Sequence, residues 1–154
     1  MESDAARDGS IRGWVLAIVV LGLALRLWGL DAQSIWRDEA DSLQFAASPA
    51  TLTKMFLSPG HNAPLYYTFL RGWTMFAGPT IDSARLFSAL WGTLAVALTY
   101  AIGRRLFGAA ASVPAAVLVA TSPFLIWYAQ EARTYSAFLA LSLLAFWLSL
   151  RALE

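Results

Sequence analysis

The chain has 154 residues, 58% of them hydrophobic and 14% charged, with a net charge of +1. A soluble domain carries about 25% charged residues, so this is membrane-protein composition, with no basic field for nucleic acid. Cysteine is absent and His61 is the only histidine, which removes disulfides, thiolate nucleophiles, zinc-thiolate sites and histidine-rich metal sites.

In chain order, the first apolar run covers residues 13–30. Ala32-Gln33-Ser34 after it has the small-x-small form of a signal-peptidase site, but the run is close to the ~20 residues that a bilayer needs and further runs follow. It reads as an uncleaved first span with Arg26 near its end, snorkelling to the interface. Trp36-Arg37-Asp38-Glu39-Ala40 comes next. Two adjacent carboxylates beside a membrane span are functional candidates, because ionisable groups there are costly unless solvated, paired or used.

The loop to residue 64 has helical signals. Residues 38–47 form a short helix with both acids in its first turn, where the dipole favours negative charge. Ser48-Pro49 is an N-cap followed by a first-turn proline, Leu52, Met55 and Phe56 make an apolar stripe, and Ser58-Pro59-Gly60 ends it. Residues 65–78 are apolar over only about 14 residues and are amphipathic, so they lie in the interface rather than cross it. Tyr66, Phe69, Leu70, Trp73, Phe76 and Ala77 form the apolar face.

Three further spans follow at about 84–103, 109–128 and 134–150. Asp82 stands where it can cap the first of them, and Ser122-Pro123 bends the second. The fold class is therefore all-α: a polytopic membrane protein with about four transmembrane helices and short interfacial helices in a first loop, 31–83. The N-terminus is cytoplasmic, Arg104-Arg105 and Arg151 are inside, and Asp38 and Glu131 are outside together. The basic residues that this arrangement leaves outside are accounted for by a lipid phosphate to be bound.

Trp36-Arg37-Asp38-Glu39-Ala40 resembles the Asp-Glu signature of GT-C membrane glycosyltransferases. His61-Asn62-Ala63-Pro64-Leu65-Tyr66-Tyr67 is similar to their His-x-Pro-Pro-Leu-Tyr-Tyr segment, with Ala63 in place of the first proline. Ala84-Arg85-Leu86-Phe87-Ser88-Ala89-Leu90 resembles the start of their next span. Ser122-Pro123 through Tyr128-Ala129-Gln130-Glu131-Ala132-Arg133-Thr134-Tyr135 resembles their Ser-Pro…Gln-Glu-Ala-Arg-x-Tyr segment. The nearest branch is that of protein mannosyltransferases and lipid A aminoarabinose transferases, whose members are several times longer, so the chain reads as their N-terminal part, with the rest of the enzyme as a partner.

The resemblance implies inverting transfer of a sugar from a polyprenyl-phosphate carrier to a hydroxyl of a glycan, lipid or protein acceptor, at the extracytoplasmic face of the plasma (inner) membrane. It implies Asp38 and Glu39 as catalytic residues, Asp38 as the base, and His61, Arg85, Glu131, Arg133 and Tyr135 as substrate-binding residues, the two arginines for the phosphate. No cofactor is assigned; some relatives use a divalent metal, but two acids and one histidine do not define its site. The rival readings are a transporter fragment with an acidic relay and a non-enzymatic membrane subunit packed by small residues.

Overall fold

A computed structural model describes residues 2–58 and 63–153, with side chains from Gly13 onward. It is 83% helical and, among the described residues, has no strand. Among the described residues eight helices follow in order: α1 Glu2–Leu27, α2 Arg37–Ala47, α3 Pro49–Leu57, α4 Pro64–Ala77, α5 Ile81–Phe107, α6 Ala109–Thr121, α7 Pro123–Ala129 and α8 Tyr135–Ala152.

The core is a bundle around α5, which packs against α1, α6 and α8. At 27 residues α5 is about 40 Å long, more than the ~30 Å hydrocarbon core, so it has turns to extend beyond it. Helices α5 and α8 are long and apolar enough to span, and α6 with α7 makes a third candidate bent by 56°. The apolar part of α1, Gly13–Leu27, is shorter than these. Small residues let the helices close: Ala89, Ala95, Ala116, Ala120 and Ala140 have almost no exposure. Outward, Leu16, Val20, Leu118, Phe138 and Leu148 are more than half exposed, an apolar surface of the kind that lipid covers.

Chain punctuation matches the physics of the breaks. Ser48 accepts from the Thr51 amide with Pro49 in the first turn of α3. Gly108 turns α5 into α6 at φ +80°, a region that side chains disfavour. Pro123 lacks an N–H and leaves the Val119 carbonyl without its helical donor, so the helix breaks at Ser122, which then caps α7. The cap of α5 is Thr80, accepting from the Ser83 amide; Asp82, the expected cap, lies inside the first turn.

Arg26 differs most from its expected place. It is 1% exposed rather than snorkelling, and donates to the carbonyls of Gly22, Ala120 and Val119. Val119 is the residue whose carbonyl Pro123 frees, so the buried arginine satisfies the helix break. Gly92 makes room for it: a Cβ there would lie 2.7 Å from the Ala129 Cβ and 2.9 Å from the Arg26 Nε.

Helix α4 packs on α2, α3 and the first turns of α5. Tyr66 reaches Ser88 and the Trp73 indole donates to Ser83, so α4 runs beside the start of α5 and stays at that end of the bundle. Tyr66, Tyr67 and Leu70 face inward, whereas Phe69 and Phe76, expected on the same face as Tyr66, are 41% and 90% exposed. At the opposite end, Arg105 donates to the Leu150 carbonyl.

Two of the helical glycines, Gly92 and Gly72, give opposite expectations. Gly92→Ala forces a shift of Arg26 and Ala129 and should destabilise by about 1–3 kcal/mol, the usual cost of overpacking. Gly72 has nothing within 4 Å of an added Cβ, so Gly72→Ala should gain about 0.5–1 kcal/mol in helix propensity. Thermal unfolding in detergent, with the two variants side by side, tests the ranking.

Candidate active site

Helix α2 sorts its two acids by phase. Glu39, Ser42 and Ala46 are its buried positions, spaced by three and four residues, so they share the inward face. Asp38, one position earlier, is 64% exposed.

Glu39 is fully coordinated. Its Oε1 accepts from Arg85 Nε at 2.9 Å and from the Ala132 amide at 2.9 Å. Its Oε2 accepts from Arg85 Nη2 at 2.7 Å and from the Trp36 amide at 3.2 Å. The last of these is half of a capping box at the start of α2. Burial alone would raise the Glu39 pKa; the hydrogen bonds from Arg85, Ala132 and Trp36 outweigh it and hold the carboxyl below its ordinary value.

Arg85 is equally saturated. Its other donors go to the carbonyls of Leu30, Gln33 and Ser34, so all five N–H groups have protein acceptors. The residue is 1% exposed. The resemblance implies a phosphate contact for Arg85; in the structure its donors go to Glu39 and to the loop that follows α1.

Asp38 Oδ2 instead meets Arg133 Nη1 at 2.6 Å. Arg133 also stands over the Tyr135 ring at 5.5 Å. Glu131 accepts from the Trp127 indole at 2.9 Å. Burial raises its pKa, and the neighbouring Glu39 and Asp38 add to this, against the Trp127 hydrogen bond and the Arg133 charge. The segment between α7 and α8 is thus held from several directions: by Gln130 donating to the carbonyls of Trp28 and Arg26, by the Ala132 amide on Glu39, and by the Ser88 hydroxyl donating to the Arg133 carbonyl.

The result is a pocket of about 210 Å³ lined by Asp38, Glu39, Glu131, Arg133 and Tyr135, with Trp36 and Tyr128 completing its wall. Five of the residues singled out from sequence therefore meet in one place. Arg85 lies beneath them, and His61 falls outside the described residues. Tyr128 was not among them, though it stands in the same motif as Gln130 and Glu131. Among the described residues no three histidine or acidic side chains converge as a metal cluster.

A family model described as dolichyl-phosphate-mannose-protein mannosyltransferase matches residues 61–154, more than half of the chain. No curated protein and no solved structure gives a significant match. The matched part includes Arg85 and the whole of 130–135; the Asp38-Glu39 pair lies just before it.

Neighbouring acids should behave differently on substitution. Glu39→Gln leaves Arg85 buried without its counter-charge and should cost about 3–5 kcal/mol of stability. Asp38→Asn breaks an exposed pair and should cost no more than about 1 kcal/mol. Because the folded Glu39 pKa is depressed, its contribution is complete above the ordinary glutamate value of about 4.3 and is lost as pH falls through the lower folded value. Unfolding midpoints of wild type and Glu39→Gln should therefore converge in strong acid and diverge toward neutrality.

Proposed function

The chain belongs to the dolichyl-phosphate-mannose-protein mannosyltransferase family of GT-C membrane glycosyltransferases, and on that premise we propose that its 210 Å³ pocket is the transfer site for a sugar carried on a polyprenyl phosphate. The acceptor is a hydroxyl of a glycan, lipid or protein. The observation that carries the reading is the contact of a solvent-open carboxylate, Asp38, with a partly buried cation, Arg133, in a pocket walled by aromatic rings.

In this reading the acceptor hydroxyl attacks the anomeric carbon and gives its proton to Asp38. The bond from the anomeric carbon to the phosphate oxygen breaks, and the phosphate leaves with the electron pair. Attack from the face opposite the leaving group inverts the anomeric centre. The leaving group is already a phosphate monoester and needs charge stabilisation rather than a proton; Arg133 supplies it with a fixed fork of donors. Arg85 and Glu39 are positioning residues, since their contacts to each other and to backbone hold α2 and the 130–134 segment in place. Glu131 and Tyr135 contact the sugar, and Trp36 offers an exposed ring against which a sugar face packs.

We place the pocket on the extracytoplasmic side of the plasma membrane. The support is the clustering of Arg104, Arg105 and Arg151 in the last turns of α5 and α8, at the other end of the bundle. Three basic residues at the pocket end have internal acceptors: Arg85 on Glu39, Arg133 on Asp38, and Arg71 on the carbonyls of Ala46 and Ala47.

Because the chain has no cysteine, single replacements test this placement. Ala40→Cys and Glu131→Cys should react with a membrane-impermeant maleimide from outside, and Phe107→Cys and Leu153→Cys only from the cytoplasmic side. Labelling of Glu131→Cys from the same side as Phe107→Cys would refute a shared outer site.

Catalysis is tested by Asp38→Asn in the complete enzyme, with transfer from the lipid donor measured at saturating substrate. Removing a positioned base typically costs about 10²–10⁴-fold in rate. Near-normal turnover with an intact fold rejects Asp38 as the base, and a larger loss of kcat in folded Glu39→Gln moves the role to its neighbour.

A further inference from the structure

Helix α5 sends two side chains toward the turn before α8. Arg85 acts through Glu39, which accepts from the Ala132 amide. Ser88, three residues later and so on the same face of the helix, donates to the Arg133 carbonyl at 3.4 Å. The stretch Ala132–Arg133 is therefore held at its first N–H and at its last C=O.

Behind Ser88 stands Tyr66, in the first turn of α4, with its hydroxyl 3.1 Å from the Ser88 Oγ. A carbonyl only accepts, and a serine hydroxyl carries a single hydrogen. Ser88 gives that hydrogen to Arg133, so Tyr66 must be the donor to Ser88. The order is Tyr66 O–H to Ser88 O–H to the Arg133 carbonyl. The second bond is long, and a donor behind Ser88 strengthens it by polarising the serine hydroxyl.

Tyr66 and Ser88 are 3% and 0% exposed, so the chain of hydroxyls is closed to bulk water. Burial pushes the Tyr66 pKa up, against the hydrogen bond with Ser88, so the phenol keeps its proton and stays a donor. Packing alone does not need this hydroxyl. The ring meets those of Tyr67 and Phe87 with centroids 5.3 and 5.8 Å away, contacts that a phenylalanine would make equally well. Docking of α4 on α5 has its own bond, from the Trp73 indole to Ser83.

What the hydroxyls reach is the backbone at Arg133. Residues 130–134 are irregular, and the Arg133 amide donates to the Glu131 carbonyl at 2.8 Å. In such a turn the backbone sets the direction in which the side chain leaves. At Arg133 it leads to Asp38 Oδ2 at 2.6 Å and over the Tyr135 ring. We propose that Tyr66 is a positioning residue of the pocket: acting through Ser88, its hydroxyl fixes the backbone at Arg133 and so directs Arg133 toward Asp38. The consequence for turnover rests on the reading of the pocket as the transfer site; the effect on the 130–134 segment does not.

Two measurements test this, on Tyr66→Phe and Ser88→Ala, with Trp73→Phe as the control that weakens the docking of α4 without a place in the hydroxyl chain. The first uses the full chain in detergent micelles with Glu131→Cys as the reporter, since the protein has no cysteine of its own. Tyr66→Phe and Ser88→Ala should each speed maleimide labelling at position 131 by roughly threefold or more, the size expected for loss of a buried hydrogen bond. Tyr66→Phe should add nothing in the Ser88→Ala background, Trp73→Phe should leave the rate unchanged, and labelling of Ala40→Cys should not respond to any of them. The second uses the complete enzyme with dolichyl-phosphate mannose as the donor probe. Tyr66→Phe should lower kcat by roughly threefold or more with KM little changed, and should cost nothing further in an Arg133→Gln background. Unchanged labelling at position 131 in Tyr66→Phe, or equal acceleration by Trp73→Phe, overturns the proposal. So does a Tyr66→Phe loss of kcat that adds in full to that of Arg133→Gln. Normal turnover in Arg133→Gln refutes the transfer role of Arg133 instead, and the labelling rates then decide the positioning on their own.

Discussion

The buried pair of Glu39 and Arg85 is the constraint on which the rest of the pocket end depends. The two residues are 46 positions apart and join α2 to α5 with Nη2–Oε2 at 2.7 Å. Charges removed from water are tolerated only when the geometry is good and the remaining lone pairs and protons are satisfied. Here both conditions hold, because Glu39 takes two backbone amides and Arg85 gives its other donors to three carbonyls. The pair thereby fixes four segments at once: the loop after α1, the start of α2, the start of α5, and the turn before α8. None of these is long enough to bury a large apolar face of its own, so a polar junction does what a hydrophobic core does elsewhere.

That junction explains the division of labour between adjacent acids. A helix turns about 100° per residue, so consecutive side chains cannot share a face. Once Glu39 is committed inward, Asp38 must project toward the opening. Arg133 is placed in the same way: Ala132 delivers its amide to Glu39, and the next residue, rotated away, meets Asp38. The Asp38–Arg133 contact is therefore set by the Glu39–Ala132 contact, one residue away on each of the two segments. An exposed ion pair has little strength of its own, so the two side chains can separate at small cost.

The helical class, the breaks and the gathering of the acids and Arg133 could be read from the sequence because each leaves a local signal. Ser48-Pro49 and Ser122-Pro123 are punctuation whose effect needs no tertiary knowledge. The roles of the arginines could not be read in that way. Arg85 and Arg133 both precede apolar runs and look alike in one dimension. What separates them is three-dimensional: Arg85 is enclosed by carbonyls of a loop more than fifty residues earlier, whereas Arg133 is partly open. The cap at Thr80 was missed for a simpler reason, since Asp82 is also a good capping residue and only the geometry of the turn chooses between them. On α4, periodicity marks an apolar side without saying which of its residues meet protein, as Tyr66 and Leu70 do, and which stay exposed, as Phe69 and Phe76 do.

Arg26 extends the same logic into the bundle. Both buried arginines answer backbone carbonyls that their own segments leave without donors: Arg85 those of the irregular loop 28–36, and Arg26 that of Val119, which Pro123 deprives of its helical partner. In each case a broken helix or loop is made tolerable by a guanidinium, whose planar fork reaches several oxygens together. The difference lies in charge. Glu39 neutralises Arg85 within the chain, so that junction is closed and structural. Among the described residues Arg26 has only neutral acceptors, and its Nε is buried without a partner. A proline break set into a membrane helix thus brings a buried cation with it, because the carbonyl it frees needs a donor that the helix cannot supply.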